Sequence, residues 1–320
     1  AQGEDFSDGE QRYLPVLSDM QNITETKAFS LRTPGTHTID LSKLFAHDSE
    51  KAVNRSLVIE YTRDPKWLAI QTLPSMALPR WKDALSLTSA YYAGATAYSI
   101  GQKFPEVEEA IREWNQTDTT MLESPLAKNQ ELTNIILQET PWALEANNER
   151  KHRQQLATLF HDVTQEHYRM TMLNALKNLQ YPNGSFAWYP GMTGSIFITQ
   201  NVACQLARLY AQTDNEMPIQ REMRQQAFKF LLQEMAKDMR ATDKEDEQRL
   251  LNRHLNTLYA IGLTDYRQML TSQEKADIQS MISMLKNYAS KTDREERALA
   301  AIVLHQYGEE KQATSLMNRL

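Results

Sequence analysis

Residues 181–192 read YPNGSFAWYPGM, and the reading of this stretch decides the fold. Twelve residues hold four aromatics, two prolines and two glycines. Asn183-Gly184 is a turn signal, because both residues tolerate the backbone angles a tight turn needs. Phe186, Trp188 and Tyr189 cannot all face water cheaply, so at least two of them should bury against helix ends. The segment is therefore a stiff aromatic loop rather than a polar linker. Both of its flanks have the apolar spacing of amphipathic helices.

Upstream of the loop, residues 147–179 carry Leu156, Leu159, Phe160, Val163, Met170, Leu173 and Leu176, a helix-period stripe with room for one break. Residues 84–103 form an Ala-, Leu-, Tyr- and Ser-rich run, and Pro105 then opens another helix with acids in its first turn. Downstream, helical spacing covers 195–212, 218–238, 243–261, 273–289 and 294–307, with a last segment from 309. Thr242-Asp243 and Thr271-Ser-Gln-Glu are N-cap signals, and Gly308 is placed to end a helix. Roughly ten helices joined by short polar segments imply antiparallel hairpins, too many for a four-helix bundle. The choice lies between an α-solenoid and a closed α/α toroid. No fixed-period self-similarity marks a solenoid, so the toroid is expected.

Before residue 62 the texture is different. Phe29 and Leu31 alternate with Ser30 and Arg32, Ile39 and Leu41 continue the alternation, and Leu57-Val-Ile-Glu-Tyr-Thr is β-branched. Pro34-Gly35 is a turn between the first two runs. The expected organisation is a small β-rich segment over 1–62 and a mainly α toroid over 63–320. The whole chain of 320 residues is 41% apolar and 24% charged, which suffices for a large core. A net charge of −6 with interspersed signs gives no basic surface for nucleic acid or anionic lipid, and no apolar run is long enough to span a membrane. Cys204 is the single cysteine, so neither an internal disulfide framework nor a cysteine zinc cluster is available.

The words around the loop resemble a known family. Gly184-Ser-Phe-Ala-Trp-Tyr-Pro-Gly-Met, then Ser195-Ile-Phe-Ile-Thr-Gln and Leu206-Ala-Arg-Leu, are similar to the thioester-containing helical domain of the bacterial alpha-2-macroglobulin family. Asp64-Pro-Lys-Trp67-Leu-Ala-Ile-Gln71-Thr-Leu-Pro74 resembles the approach to that domain, and Leu255-Asn-Thr-Leu-Tyr259-Ala and Ala300-Ala-Ile-Val-Leu-His305-Gln-Tyr-Gly resemble its later helices. The resemblance runs from about residue 10 to the end. It implies an α/α toroid preceded by a CUB-like β segment that is incomplete here. It also implies a place within a longer envelope protein in the bacterial periplasm or at the cell surface. Its expected partners are the other domains of that parent chain and a protease or other envelope protein.

Active members of that family carry Cys-x-Glu-Gln, whose Cys and Gln side chains close an internal thioester that captures an attacking protease. The reaction needs sulfur, because a thiolate is the leaving group that keeps the acyl bond reactive. In this sequence the matching segment is Pro79-Arg-Trp-Lys-Asp83-Ala-Leu-Ser86, so Asp83 falls at the Cys position and Ser86 at the Gln position. Residues 75–95 contain neither Cys nor Gln, and Cys204 is followed three residues on by Ala207. A side-chain thioester is therefore not expected, and no catalytic residue is assigned. Asp83 is expected to cap the helix that follows; the competing reading, a replacement nucleophile, lacks a neighbouring histidine base. Trp81, Phe186, Trp188 and Tyr189 are nominated as a binding rim, since aromatic rings are favoured anchors at protein surfaces.

Other constellations are weaker. His161 and His167 are six residues apart and do not share a helix face, so no metal site is expected. No phosphate-binding glycine loop or Asp-rich diphosphate motif occurs, and no cofactor is expected. Methionines such as Met170, Met172, Met281 and Met284 sit at core spacings. Glu139, Glu145 and Glu149 near Trp142 are the one acid–aromatic neighbourhood that would suit a toroidal glycoside-processing enzyme. The leading expectation is a noncatalytic, thioester-lacking domain for protein interaction or noncovalent protease trapping and inhibition. The alternatives are the glycoside enzyme and a structural spacer.

Overall fold

The computed structural model describes residues 25, 27–46, 51–53, 57, 59, 66–79, 81–116, 156–213, 216–241, 246–288 and 293–320. The fold is mainly α. Its helices are α1 (Lys66–Ala77), α2 (Ala84–Lys103), α3 (Pro105–Gln116), α4 (Asp162–Lys177), α5 (Ile196–Gln212), α6 (Pro218–Ala241), α7 (Glu247–Gly262), α8 (Ser272–Tyr288), α9 (Arg294–Gln306) and α10 (Glu310–Met317). Between α4 and α5, β1 (Phe186–Ala187) pairs antiparallel with β2 (Gly194–Ser195), Phe186 opposite Ser195 and Ala187 opposite Gly194. No helix among the described residues is long and apolar enough to cross a membrane.

The helices form two rows. In one row α2 packs on α5, α5 on α7 and α7 on α9. In the other, α4 packs on α6 and α6 on α8, and these back onto the first row through α2, α5, α7 and α9. Helices joined by short segments run back and forth, so alternate ones share a direction. The main core fills the space between the rows, with Leu173, Phe186, Val202, Leu206, Phe228, Leu231, Leu258, Met281 and Leu304 among its buried side chains. A smaller cluster of Ile70, Leu73, Ile111, Leu159 and Phe160 joins α1, α2 and α3 to residues 156–160.

Helix α2 explains its own composition. It touches α1, α3, α4 and α5, and a helix surrounded on so many sides has little space for bulky side chains. Ala84, Ala90, Ala93, Gly94, Ala95 and Ala97 are all buried. A Cβ at Gly94 would lie 2.8 Å from the Tyr168 ring of α4, so the two helices approach as closely as they do only because that position has no side chain. The Tyr168 hydroxyl donates to the Ala77 carbonyl at the end of α1.

One sequence expectation changes and another is made definite. Residues 27–46 form no strand; they run irregularly through a bend at Thr33–Gly35 to a 3-10 turn at Ser42–Phe45. The Pro34-Gly35 turn itself is present, with Gly35 at φ +142°. Alternation assigns side chains to two faces, but a strand also needs a neighbouring edge for its N–H and C=O groups, and the described residues supply none. Phe29, Leu31, Phe45, Val53, Leu57 and Ile59 are consequently exposed. The long stripe at 147–179 breaks at Phe160 and His161, so that α4 starts only at Asp162. Glu139, Trp142, Glu145 and Glu149 lie outside the described residues, as does the Thr242-Asp243 cap signal.

Candidate functional site

The site is built on the N-terminus of α2. Asp83 has extended backbone (ψ 161°), and one carboxylate oxygen accepts the N–H groups of Leu85 and Ser86, both at 3.0 Å. The Ser86 hydroxyl donates to the other oxygen at 2.5 Å. The N–H of Ala84 donates to the carbonyl of Trp188 at 2.9 Å. The first three N–H groups of α2, which a helix leaves without internal partners, are thus all satisfied, one of them by the aromatic loop. Asp83 itself is buried. Asp83→Ala is expected to lower stability by about 1–2 kcal/mol, with Asp83→Asn losing less, as read by urea unfolding.

The loop is held rigidly. Tyr181–Gly184 is a β-turn closed by the Gly184 N–H donating to the Tyr181 carbonyl at 2.8 Å, with Pro182 second and Gly184 fourth. The Asn183 side-chain oxygen accepts from the Ser185 N–H at 3.1 Å and from its hydroxyl at 2.7 Å. Gln180 donates across to the Met223 carbonyl of α6 at 2.9 Å, and the Phe186 N–H donates to the Thr199 hydroxyl of α5 at 2.8 Å. The loop is therefore fixed to α5, α6 and α2.

This scaffold separates the four aromatics nominated as a rim. Trp81 is 66% exposed, Trp188 45% and Tyr189 39%. Trp188 and Tyr189 stack on each other, with centroids 6.2 Å apart and planes at 17°. Phe186 is a correction: its ring is fully buried, because β1 pairs with β2 and ties to Thr199, turning that side chain into the main core. Met192 at the end of the loop and Phe197 in the first turn of α5 are also exposed.

Asp83 and Ser86 are hydrogen-bonded to each other and to backbone, an arrangement that holds a helix end and leaves neither oxygen poised as a nucleophile. Cys204 is distant in role as well as sequence. It is buried on α5, its thiol donates to the Asn256 carbonyl at 3.4 Å, and burial pushes its pKa up to about 12, which suppresses the thiolate. His161 precedes α4 and His167 lies within it, and among the described residues no three His, Cys, Asp or Glu side chains converge as a metal site would require.

A cleft elsewhere has no counterpart among the sequence expectations. A cleft of about 360 Å³ opens between α1, α2, α5 and α7, lined by Tyr92, Gln200, Asn201, Gln205, Arg208 and Asn256 among others. Its signal in the sequence is a polar stripe: Asn201, Gln205 and Arg208 recur at helical spacing on α5, whose other faces are core.

One buried ionisable pair joins α6 to α7. His254 of α7 is fully buried, and its Nε2 sits 2.8 Å from the Asp238 carboxylate of α6, which also pairs with Arg253 at 2.9 Å. Burial lowers the His254 pKa despite the opposing pull of Asp238. The unfolded chain therefore takes up a proton, near the ordinary histidine pKa of about 6.5, that the folded chain refuses. Stability should fall as pH drops from about 7 toward the lowered pKa, by at most about 1.4 kcal/mol per unit from this group. His254→Gln should flatten that slope in unfolding curves taken across the range.

Comparison of the chain with protein-family models, with curated proteins and with solved structures gives no match.

Proposed function

We propose that this chain is a noncatalytic protein-interaction domain of the alpha-2-macroglobulin type, an α/α toroid that has lost its thioester and works within a larger bacterial envelope protein in the periplasm or at the cell surface. The observation that carries the reading is the pairing at the start of α2. Where the resembling family would place a reactive sulfur and its acyl partner, Asp83 and Ser86 instead close the helix, and Ala84 beside them bonds a rigid loop that presents Trp188 and Tyr189 to solvent, with Trp81 exposed just before the helix. The two-row array of hairpins is the arrangement from which a toroid is made. The exposed apolar side chains between Phe29 and Ile59 suit a β segment completed by other parts of a parent chain. The role is contact with a partner protein through the aromatic end, including noncovalent trapping of a protease. The glycoside-processing alternative gains nothing from the cleft, whose lining among the described residues includes no carboxylate.

Two measurements test this. Titration of thiols in the denatured chain should give one per molecule, that of Cys204, without methylamine treatment; a thiol absent before methylamine and released by it would refute the loss of the thioester. A photo-crosslinking amino acid at position 188 should join the chain to a protein partner in the native envelope, whereas the same group at exposed Lys229 on α6 should not. Equal labelling from both positions would remove the aromatic end as the contact surface.

A further inference from the structure

The cleft between α1, α2, α5 and α7 has a chemistry distinct from that of the aromatic end. Its floor is locked: Gln200 donates to the Arg253 carbonyl at 2.6 Å and to the Thr257 hydroxyl at 2.9 Å, fastening α5 to α7. The Tyr92 hydroxyl donates to Gln212 at 2.7 Å, fixing that ring against α5 from the other side. Above this floor several groups are unspent. The carboxamides of Gln205 and Asn256 make no side-chain hydrogen bond among the described residues, and Asn201 uses only its amide nitrogen, on the Phe197 carbonyl at 2.8 Å.

Arg208 completes the set. Its Nε donates to the Tyr259 hydroxyl at 3.2 Å, and its guanidinium lies over the Tyr259 ring, 5.4 Å from the centroid. That contact orients the fork while its two terminal nitrogens make no hydrogen bond or ion pair among the described residues. Among the described residues the cleft lining contains no acid to neutralise it and no second cation. A single oriented guanidinium suits a planar monoanion, which it can hold by two parallel bonds. A primary carboxamide offers one donor side and one acceptor side, matching the C=O and N–H of a peptide unit. The volume is at the small end of ligand pockets, enough for a short segment rather than a folded surface.

From these groups we infer that the cleft is a binding site for a carboxylate adjoining a peptide unit, with the carboxylate on Arg208 and the peptide group on the carboxamides of Gln205 and Asn256. The carboxylate has two sources, the terminus of a peptide chain or an acidic side chain within one. The site does not depend on the aromatic loop, so it stands or falls separately from the interaction reading above.

The test is calorimetric titration of the 320-residue chain with three probes: N-acetyl-alanyl-alanine, its C-terminal amide, and N-acetyl-alanyl-glutamyl-alanine amide. Binding of the first at sub-millimolar concentration, weakened at least about tenfold in its amide, assigns a chain terminus. Binding of the third as well as the first assigns carboxylates of either source. In each case Arg208→Gln should weaken binding about tenfold or more, and Gln205→Glu, which places a like charge beside the ligand, should do the same. Both positions lie outside the core, and an unchanged thermal melt confirms that the variants fold. Absence of binding by all three probes at several millimolar, or affinity indifferent to Arg208→Gln in a folded variant, overturns the inference.

Discussion

Alanine at position 184 is expected to lower the stability of the chain by about 4 kcal/mol or more, enough to leave little of it folded at moderate urea. Two costs add. Gly184 has φ +90°, a region that a side chain disfavours by about 1–2 kcal/mol. In addition, a Cβ there would fall 2.1 Å from the backbone oxygen of Gln226 and 2.7 Å from its carbonyl carbon. These are main-chain atoms of α6 and cannot rotate aside. Either the loop lifts off α6, breaking the Gln180–Met223 bond and exposing Phe186, or α6 moves as a body. Gly191 supplies the control. It has φ +84° but nothing within 4 Å of the added atom, so Gly191→Ala should cost only the conformational part, about 1–2 kcal/mol. Equal midpoints for the two variants in urea would show that the loop does not sit on α6 as described.

Glu216→Ala should cost about 3–5 kcal/mol, an effect out of proportion to one surface-type residue before a helix. Glu216 accepts both arms of Arg224, Nε at 2.7 Å and Nη2 at 3.0 Å, with side-chain exposures of only 4% and 1%. The guanidinium is packed 4.5 Å from the centroid of the Tyr210 ring, so it stays out of water when its partner is removed. Asp265, 3.7 Å away and half exposed, is a poor substitute. The penalty arises from the charge left behind rather than from the attraction lost. The double change Glu216→Leu with Arg224→Met should therefore cost less than Glu216→Ala alone. A double variant that loses as much as the sum of its single changes would argue against a buried pair. Urea unfolding of the unaltered chain, Glu216→Ala, Glu216→Leu, Arg224→Met and the double variant decides it.

Much of the helical architecture was legible because helices declare themselves locally. The Thr271-Ser-Gln-Glu signal is realised as a reciprocal cap, with Thr271 N–H donating to the Glu274 carboxylate at 2.8 Å and Glu274 N–H donating back to the Thr271 hydroxyl at 3.2 Å. Gly308 ends α9 at φ +85°, and Glu309 N–H returns to the Leu304 carbonyl at 2.8 Å. Asp83 was readable as a cap for the same reason. What escaped the sequence depends on distant neighbours. The runs around Phe29 and Ile39 alternate correctly for a strand, yet pairing is decided by an edge that local sequence does not contain. Phe186 and Trp188 stand two residues apart in one aromatic run, and only the pairing of β1 and the reach of Thr199 turn one inward and leave the other outside. The Arg224–Glu216 pair straddles a helix start at a separation of eight residues, outside the three- and four-residue spacings that signal ion pairs on helices. The cleft is assembled from four helices, and only its stripe on α5 left a local trace.

The bond from the Ala84 amide to the Trp188 carbonyl has a kinetic corollary. A helix rich in alanine and surrounded by others draws its terminal closure from a turn synthesised long after it, so its first turn waits on that turn for completion during folding. The aromatic stretch thereby acts as a latch between early and late parts of the chain. Release of the latch would fray the first turn of the central helix while the distant hairpins stayed intact, and the ring pair would be the first region to register the opening.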